Sequence, residues 1–152
     1  MSRGFEDVEP VRSFVLEPMR ALQRAAHAAV MARLAEAGYP EVRIPHINLL
    51  AYVPRGEGTR MGTLAQRLEL TNGAVTQLVA HLERLGLVER TRDPDDARAV
   101  IVRPTPAANE GYEVARASLA EIEDEWAARV GRRRWATTVR VLEELAASPD
   151  DG

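Results

Sequence analysis

The sequence predicts a mainly α-helical chain with one small β-hairpin, and three observations carry that prediction. Apolar residues recur at three- and four-residue steps in long runs near both ends, the period of a helix with one buried face. Two shorter runs of the same period lie in the middle. After them the turn signal "DPDDAR" at 93–98 stands between two stretches that carry β-branched residues. A chain of 152 residues can hold one domain, or one small domain with long accessory helices.

The first helix is expected over 11–37, where Phe14, Val15, Met19, Leu22, Ala26, Ala29, Val30 and Leu34 form a stripe. Gly38 and Pro40 stop it, since proline cannot continue a helix. Pro18 falls either in the first turn of a helix beginning near Leu16 or at a kink. A second helix is expected after Pro45, carrying Ile47, Leu50 and Val53 and ending at Pro54 and the glycines at 56 and 58. Two short helices follow, Met61 to Leu68 and Asn72 to Leu85. Val75, Leu78, Val79, Leu82 and Leu85 share a face of the latter, and Thr71 is its N-cap, because a hydroxyl there accepts from an unpaired first-turn amide.

The hairpin is expected as Leu87 to Arg92 and Ala99 to Arg103, joined at Asp93-Pro94 and ended by Pro104. Thr105-Pro106 then places a capping hydroxyl before a proline at the first helical position. A long helix over 106–130 follows, with Tyr112, Ala115, Leu119, Ile122, Trp126 and Val130 on its stripe. Gly131 breaks it, and Trp135, Val139, Leu142 and Leu145 mark a last helix over 132–146. The long end helices carry more apolar surface than a monomer of this size needs. Exchange between two subunits is the economical way to bury it, and packing on each other within one chain is the alternative.

Composition narrows the chemistry. There is no Cys, which removes disulfides, thiol nucleophiles and Cys-ligated metals. Every basic residue is Arg, whose fixed fork of donors suits phosphate, and the net charge of -3 leaves local field to decide any anion binding. No run resembles a signal peptide or a membrane span, so a cytoplasmic protein is expected. His27, His46 and His81 read as isolated, without ligand spacing, and no phosphate loop or nucleophile elbow occurs. The expectation is therefore no metal, no cofactor and no catalysis. "GRRRW" at 131–135 is expected to pair with acidic residues such as Glu121, Glu123, Asp124 and Glu125 on a partner, or to face water.

Two short helices, the second capped, followed by a hairpin is the order of a winged helix–turn–helix. The segments "LAQRL" at 64–68, "VTQLVAHLERLGLVER" at 75–90 and "DPDDARAVIVRPTPA" at 93–107 together resemble the MarR family of bacterial transcription regulators, in order and in spacing. The resemblance implies one domain over 1–152, with dimerisation helices at 11–37 and 105–148 around a winged helix–turn–helix DNA-binding region at 42–104. It implies a homodimer on a pseudo-palindromic operator in double-stranded DNA, usually a repressor. In many members a small aromatic or anionic ligand, bound between the dimer helices and the winged region, releases the DNA. The alternative is a protein-interaction module that kept the fold and lost its operator. The chain departs from the family at the wing, where Asp96, Ala97 and Arg98 replace the common Asp-Arg-Arg. Pro104 stands where Leu often precedes Thr-Pro, and Ala108 where Gly is usual.

Between Thr71 and Leu82 no residue is charged. A helix in the major groove reads bases with short polar side chains and leaves charge to the phosphates, so Asn72, Thr76, Gln77 and His81 are the expected base readers. Arg60, Thr71, Gly73, Arg90, Arg92, Asp96 and Arg98 are the expected backbone or wing residues. The resemblance puts Arg98 at the wing tip, where a narrow minor groove attracts Arg, with Asp96 orienting it through a charge-assisted hydrogen bond. Between 60 and 103 seven Arg stand against six acidic residues, so clustering must supply what the sum does not. His46, Tyr52 and Trp126 are the expected lining of a ligand pocket, with Tyr39 and Tyr112 on suitable helices as well; aromatics at this spacing are more often core.

Overall fold

The computed structural model describes residues 14–147. In chain order the elements are α1 (Leu16–Glu36), α2 (Ile44–Ala51), β1 (Thr59–Arg60), α3 (Met61–Leu68), α4 (Asn72–Arg84), β2 (Val88–Arg92), β3 (Val100–Pro104), α5 (Pro106–Val130) and α6 (Arg132–Ala146). The mainly helical chain with a small antiparallel wing is thus as expected. Residues 11–13 and 148, assigned to the end helices from sequence, lie outside the described residues.

Local chemistry explains most boundaries. Pro18 sits in the first turn of α1, where a missing amide costs nothing, so no kink is needed. Thr71 and Thr105 cap α4 and α5, each hydroxyl accepting from the amide three residues on, at 3.2 and 3.3 Å. α2 starts one residue before Pro45 and stops before Val53, which is buried just beyond the helix.

The sheet departs from the expectation of a lone hairpin. β1 pairs with β3, giving the antiparallel order β1-β3-β2 with Thr59 opposite Val102 and Thr91 opposite Ile101. Two residues carry no readable period, so β1 was invisible to pattern. Gly58 makes room for it: a Cβ there would lie 2.5 Å from the Val102 carbonyl oxygen and 2.5 Å from Arg103 Cγ.

The core lies under this sheet. Leu49 of α2, Leu64 of α3, Val75, Val79 and Leu82 of α4 and Val102 of β3 are all 0% exposed. Burying each such side chain contributes about 1.5–3 kcal/mol before conformational entropy is counted. The end helices pack differently. α1 runs along α5, held by Val30 and Leu34 and by an Arg33–Glu121 ion pair at 2.9 Å. The α5 residues that go inside are small (Ala108, Gly111, Ala115, Ser118 and Ala127), which lets the helix axes approach. α6 buries no residue fully, and Trp135 touches Trp126 of α5 edge-on at 5.6 Å. Arg132 pairs with Asp124 of its own chain at 3.2 Å.

Candidate nucleic-acid interface

α3 and α4 meet at a tight turn, Glu69 to Thr71, and α4 buries Val75, Val79 and Leu82 while turning its opposite side to solvent. Thr71, Asn72, Gly73, Thr76 and Gln77 are exposed along that side. The Thr76 hydroxyl donates to the Asn72 carbonyl at 2.7 Å, leaving its oxygen lone pair and methyl group outward. Asn72 and Gln77 have no side-chain partner among the described residues, so both carboxamides keep their donors and acceptors for something outside the chain. The N-terminal turn adds unpaired amides and partial positive charge.

The wing loop between β2 and β3 is set by its own aspartates. Asp93, 5% exposed, accepts from the Asp95 amide at 2.9 Å and from Arg60 Nε at 2.6 Å. The Asp95 amide first, and Arg60 next, hold its carboxyl below the ordinary value. Asp93 read from sequence as a turn residue alone; here it ties the root of the wing to the start of α3. Arg60 is accordingly occupied at the wing root. Asp96 accepts from the backbone amide of Arg98 at 3.0 Å, not from its guanidinium. It orients the loop and leaves the Arg98 side chain exposed and without a partner among the described residues.

Arg90 also differs from expectation. Its guanidinium pairs with Glu83 at the end of α4, raising its own pKa and lowering that of Glu83. That charge is spent within the chain, whereas Arg92 and Arg98 remain open. Arg103 points away, its Nε donating to the Glu57 carbonyl at 3.1 Å.

The histidines correct two expectations together. His46 and His81 are not isolated: Nε2 of one lies 3.1 Å from Nδ1 of the other, rings edge to face at 79°. His81 therefore turns back toward α2 instead of standing with Asn72, Thr76 and Gln77, and it leaves the base-reading set. His46 is 4% exposed and is not among the residues lining the cleft between α2 and α5, so it leaves the pocket set.

The remaining pocket residues do not converge. Tyr52 is 42% exposed beside Arg67 and Leu68, and Trp126 packs on Trp135. A cavity of about 30 Å³ does lie between α1, α2 and α5, lined by Leu34, Tyr39, Val42, Leu50 and Tyr112 among others. The Tyr39 hydroxyl closes one side by donating to the Ala107 carbonyl at 3.1 Å. Beyond the Tyr112 ring a wider recess of about 190 Å³ opens. Arg55 lies over that ring, 4.6 Å from its centre, and pairs with Glu113 at 2.8 Å. Tyr39 and Tyr112, not the three residues favoured from sequence, mark the cleft.

Two short helices, an uncharged outward face on the second and an adjoining wing with an exposed arginine define a winged helix–turn–helix protein. Residues 42–99 match the sequence model of the MarR family. Over this segment the resemblance read from the motifs is borne out. The uncharacterized HTH-type transcriptional regulator YcgE of Bacillus subtilis (strain 168) is 44% identical over 46 residues, 30% of either chain. The match thus spans under a third of that curated relative. A solved mutant of MarR from E. coli superposes with a TM-score of 0.70 at 17% identity, covering 92% of this chain and 98% of that one. A mutant of MepR from S. aureus, bound to an oligodeoxyribonucleotide, superposes at 0.64 and 18% identity over 88% and 99%. At such identities the likeness shows the fold. Among the described residues no helix is long and apolar enough to cross a membrane.

Proposed function

We propose that the protein is a cytoplasmic, homodimeric, DNA-binding transcription regulator rather than an enzyme, acting as a repressor on a pseudo-palindromic operator. The observation that carries the reading is the uncharged, exposed face of Asn72, Thr76 and Gln77, its two carboxamides without a side-chain partner among the described residues, beside the exposed Arg98 of the wing. Carboxamides are suited to adenine edges, and Thr to a thymine methyl, while Arg92, Arg98 and the amides at the start of α4 take phosphate or minor groove. The MepR relative bound to an oligodeoxyribonucleotide supports the same use of the fold. Apolar side chains exposed on α1 and α6 support a second copy as the partner that brings two reading helices to successive grooves. In this reading 42–104 binds DNA and the end helices pair the subunits.

The recess beside the Tyr112 ring supports release by a small aromatic or anionic molecule. Such a ligand acts only through its different affinity for the bound and free spacings of the reading helices. The test is selection of duplexes from a random library by the purified protein, followed by footprinting. A two-fold site protected over successive major grooves is the expected result. Gln77→Ala should change which bases are preferred, since a good bidentate pair discriminates by about 1–3 kcal/mol. No enrichment of any duplex at low salt would overturn the reading.

A further inference from the structure

His81 lies on the reading helix but does not face outward, and what it does instead follows from counting ring protons. The Arg43 backbone amide donates to His46 Nδ1 at 3.0 Å, so that nitrogen carries a lone pair and the neutral ring holds its proton on Nε2. Nε2 then donates to His81 Nδ1 at 3.1 Å. The proton of His81 is thereby placed on Nε2, which faces the Glu41 carboxylate at 3.8 Å. His46 is the third residue of α2, where a side chain reaching back to the N-cap amide stabilises the helix start. The chain of donors runs from the start of α2 to the last turn of α4.

We propose that His46 and His81 are a positioning pair: hydrogen-bonded in one neutral tautomer each, they set the rotation of α4 against α2, and protonation releases that setting. The proposal rests on the DNA-binding reading, because His81 stands one helical turn beyond Gln77 and a rotation there re-aims Gln77, Thr76 and Asn72 together. Both neutral rings have their single lone pair occupied by a donor. An added proton on His46 Nδ1 confronts the Arg43 amide, and one on His81 Nδ1 confronts the His46 N–H. Either way two donors face each other inside the protein.

Two charged groups lie around the pair. Glu41, before α2, stands 3.8 Å from His81 Nε2, and Arg43 disfavours a proton on His46; no hydrogen bond or ion pair reaches either ring from α3 among the described residues. Burial first, then the neighbouring His81 and Arg43, hold the His46 pKa below its ordinary value. The native state therefore takes up a proton less readily than the unfolded chain. Stability from this group is complete above the ordinary histidine value of 6.5 and is lost as pH falls below it. Acid otherwise strengthens DNA binding by adding positive charge to the protein, so a loss in acid has a diagnostic sign.

The test uses the full chain and the duplex recovered by selection, with anisotropy titrations at fixed salt. Between about pH 7.5 and 5.5 the wild-type affinity should fall about tenfold. His46→Gln keeps an acceptor for the Arg43 amide and a donor for His81 but cannot titrate. It should bind within about threefold of wild type at the higher pH and lose less than about half of the acid effect, on a logarithmic scale. Imidazole 15N spectra of the wild type should show both rings protonated at Nε2 near neutrality, a measurement that stands even if the variant does not fold. Wild-type binding that is flat or tighter in acid, an equally steep fall in His46→Gln, or a His46 proton on Nδ1 would each overturn the proposal alone. Failure to recover any duplex would overturn the DNA-binding reading itself, and the positioning role with it.

Discussion

Leu82 of α4 and Leu22 of α1 sit on helices with the same apolar period, yet one is 0% exposed and the other 42%. The same contrast separates the two regions. α2, α3, α4 and the sheet surround six apolar side chains that no water reaches, while Met19 and Leu22 of α1 and Val141, Leu142 and Leu145 of α6 stay exposed. The amphipathic pattern states that a face will be covered, not by what. In the winged region the covering surface comes from the same chain within a few dozen residues. For the first half of α1 and most of α6 the described residues supply only part of it.

The contrast breaks or holds first at Leu82. Leu82→Ala should destabilise the protein by about 2–5 kcal/mol, since the neighbours of a fully enclosed side chain cannot collapse to fill the space. Chemical denaturation at several protein concentrations checks this, because a defect of the winged core itself persists at all of them. A loss below 1 kcal/mol would mean, on the same scale, that the centre is not the tightly packed half.

Leu22→Asp tests the other side. Placing a carboxylate on the open stripe of α1 should weaken self-association by about a hundredfold, as for a central apolar anchor of an interface. Sedimentation at micromolar concentration should move from twice the chain mass toward one. A wild type that sediments as one chain would overturn the homodimer, and a variant that still sediments as two would place the dimer contact elsewhere.

Within the winged region, Arg98→Ala contrasts wing with helix. Its guanidinium has no partner among the described residues, so truncation removes little from the fold. Operator affinity should drop about tenfold, evenly across sequences, and the logarithmic salt slope should flatten by about 1. The same change at Arg90 should cost less, because Glu83 already holds that charge. Equal losses at Arg90 and Arg98 would show that the pairing yields on binding.

The regular elements were legible because periodicity, caps and breakers act locally. Thr71, Thr105, Pro106 and Gly131 each mark a boundary through a single residue's own conformational limits, and α4, α5 and α6 begin, and α5 ends, where those residues say. What escaped depends on partners far apart in sequence. The two histidines are 35 residues apart, and Arg60 is 33 from Asp93. No spacing rule joins such pairs. β1 escaped for the opposite reason, being too short to have a period. The face of Asn72, Thr76 and Gln77 was readable by elimination, since the apolar residues of α4 claim the other side. His81 failed the same logic because a helix flank can be half-buried, and there the neighbour, not the period, decides.

The smallest effect concerns the turn between α3 and α4. α4 ends with the Leu87 amide donating to the Leu82 carbonyl at 2.9 Å and Gly86 donating to Glu83 at 3.0 Å, and Gly86 takes φ 69. α3 ends with the same pair of bonds, Leu70 to Ala65 at 3.0 Å and Glu69 to Gln66 at 3.2 Å, but the left-handed residue is Glu69 at φ 54. An L side chain in that conformation meets its own backbone carbonyl, and Glu69 is the non-glycine residue with positive φ among those described. Its side chain is exposed and makes no ion pair among the described residues that would offset the strain. Replacement by Gly removes the clash and adds freedom to the unfolded chain, two effects of opposite sign. The net for Glu69→Gly should be a gain of about 0.5–1 kcal/mol in denaturant unfolding, with operator affinity within about twofold of wild type. A loss of stability instead would mean that Glu69 holds the turn through its side chain. A gain accompanied by weakened binding would mean that the rigid, strained turn is what fixes α4 for reading.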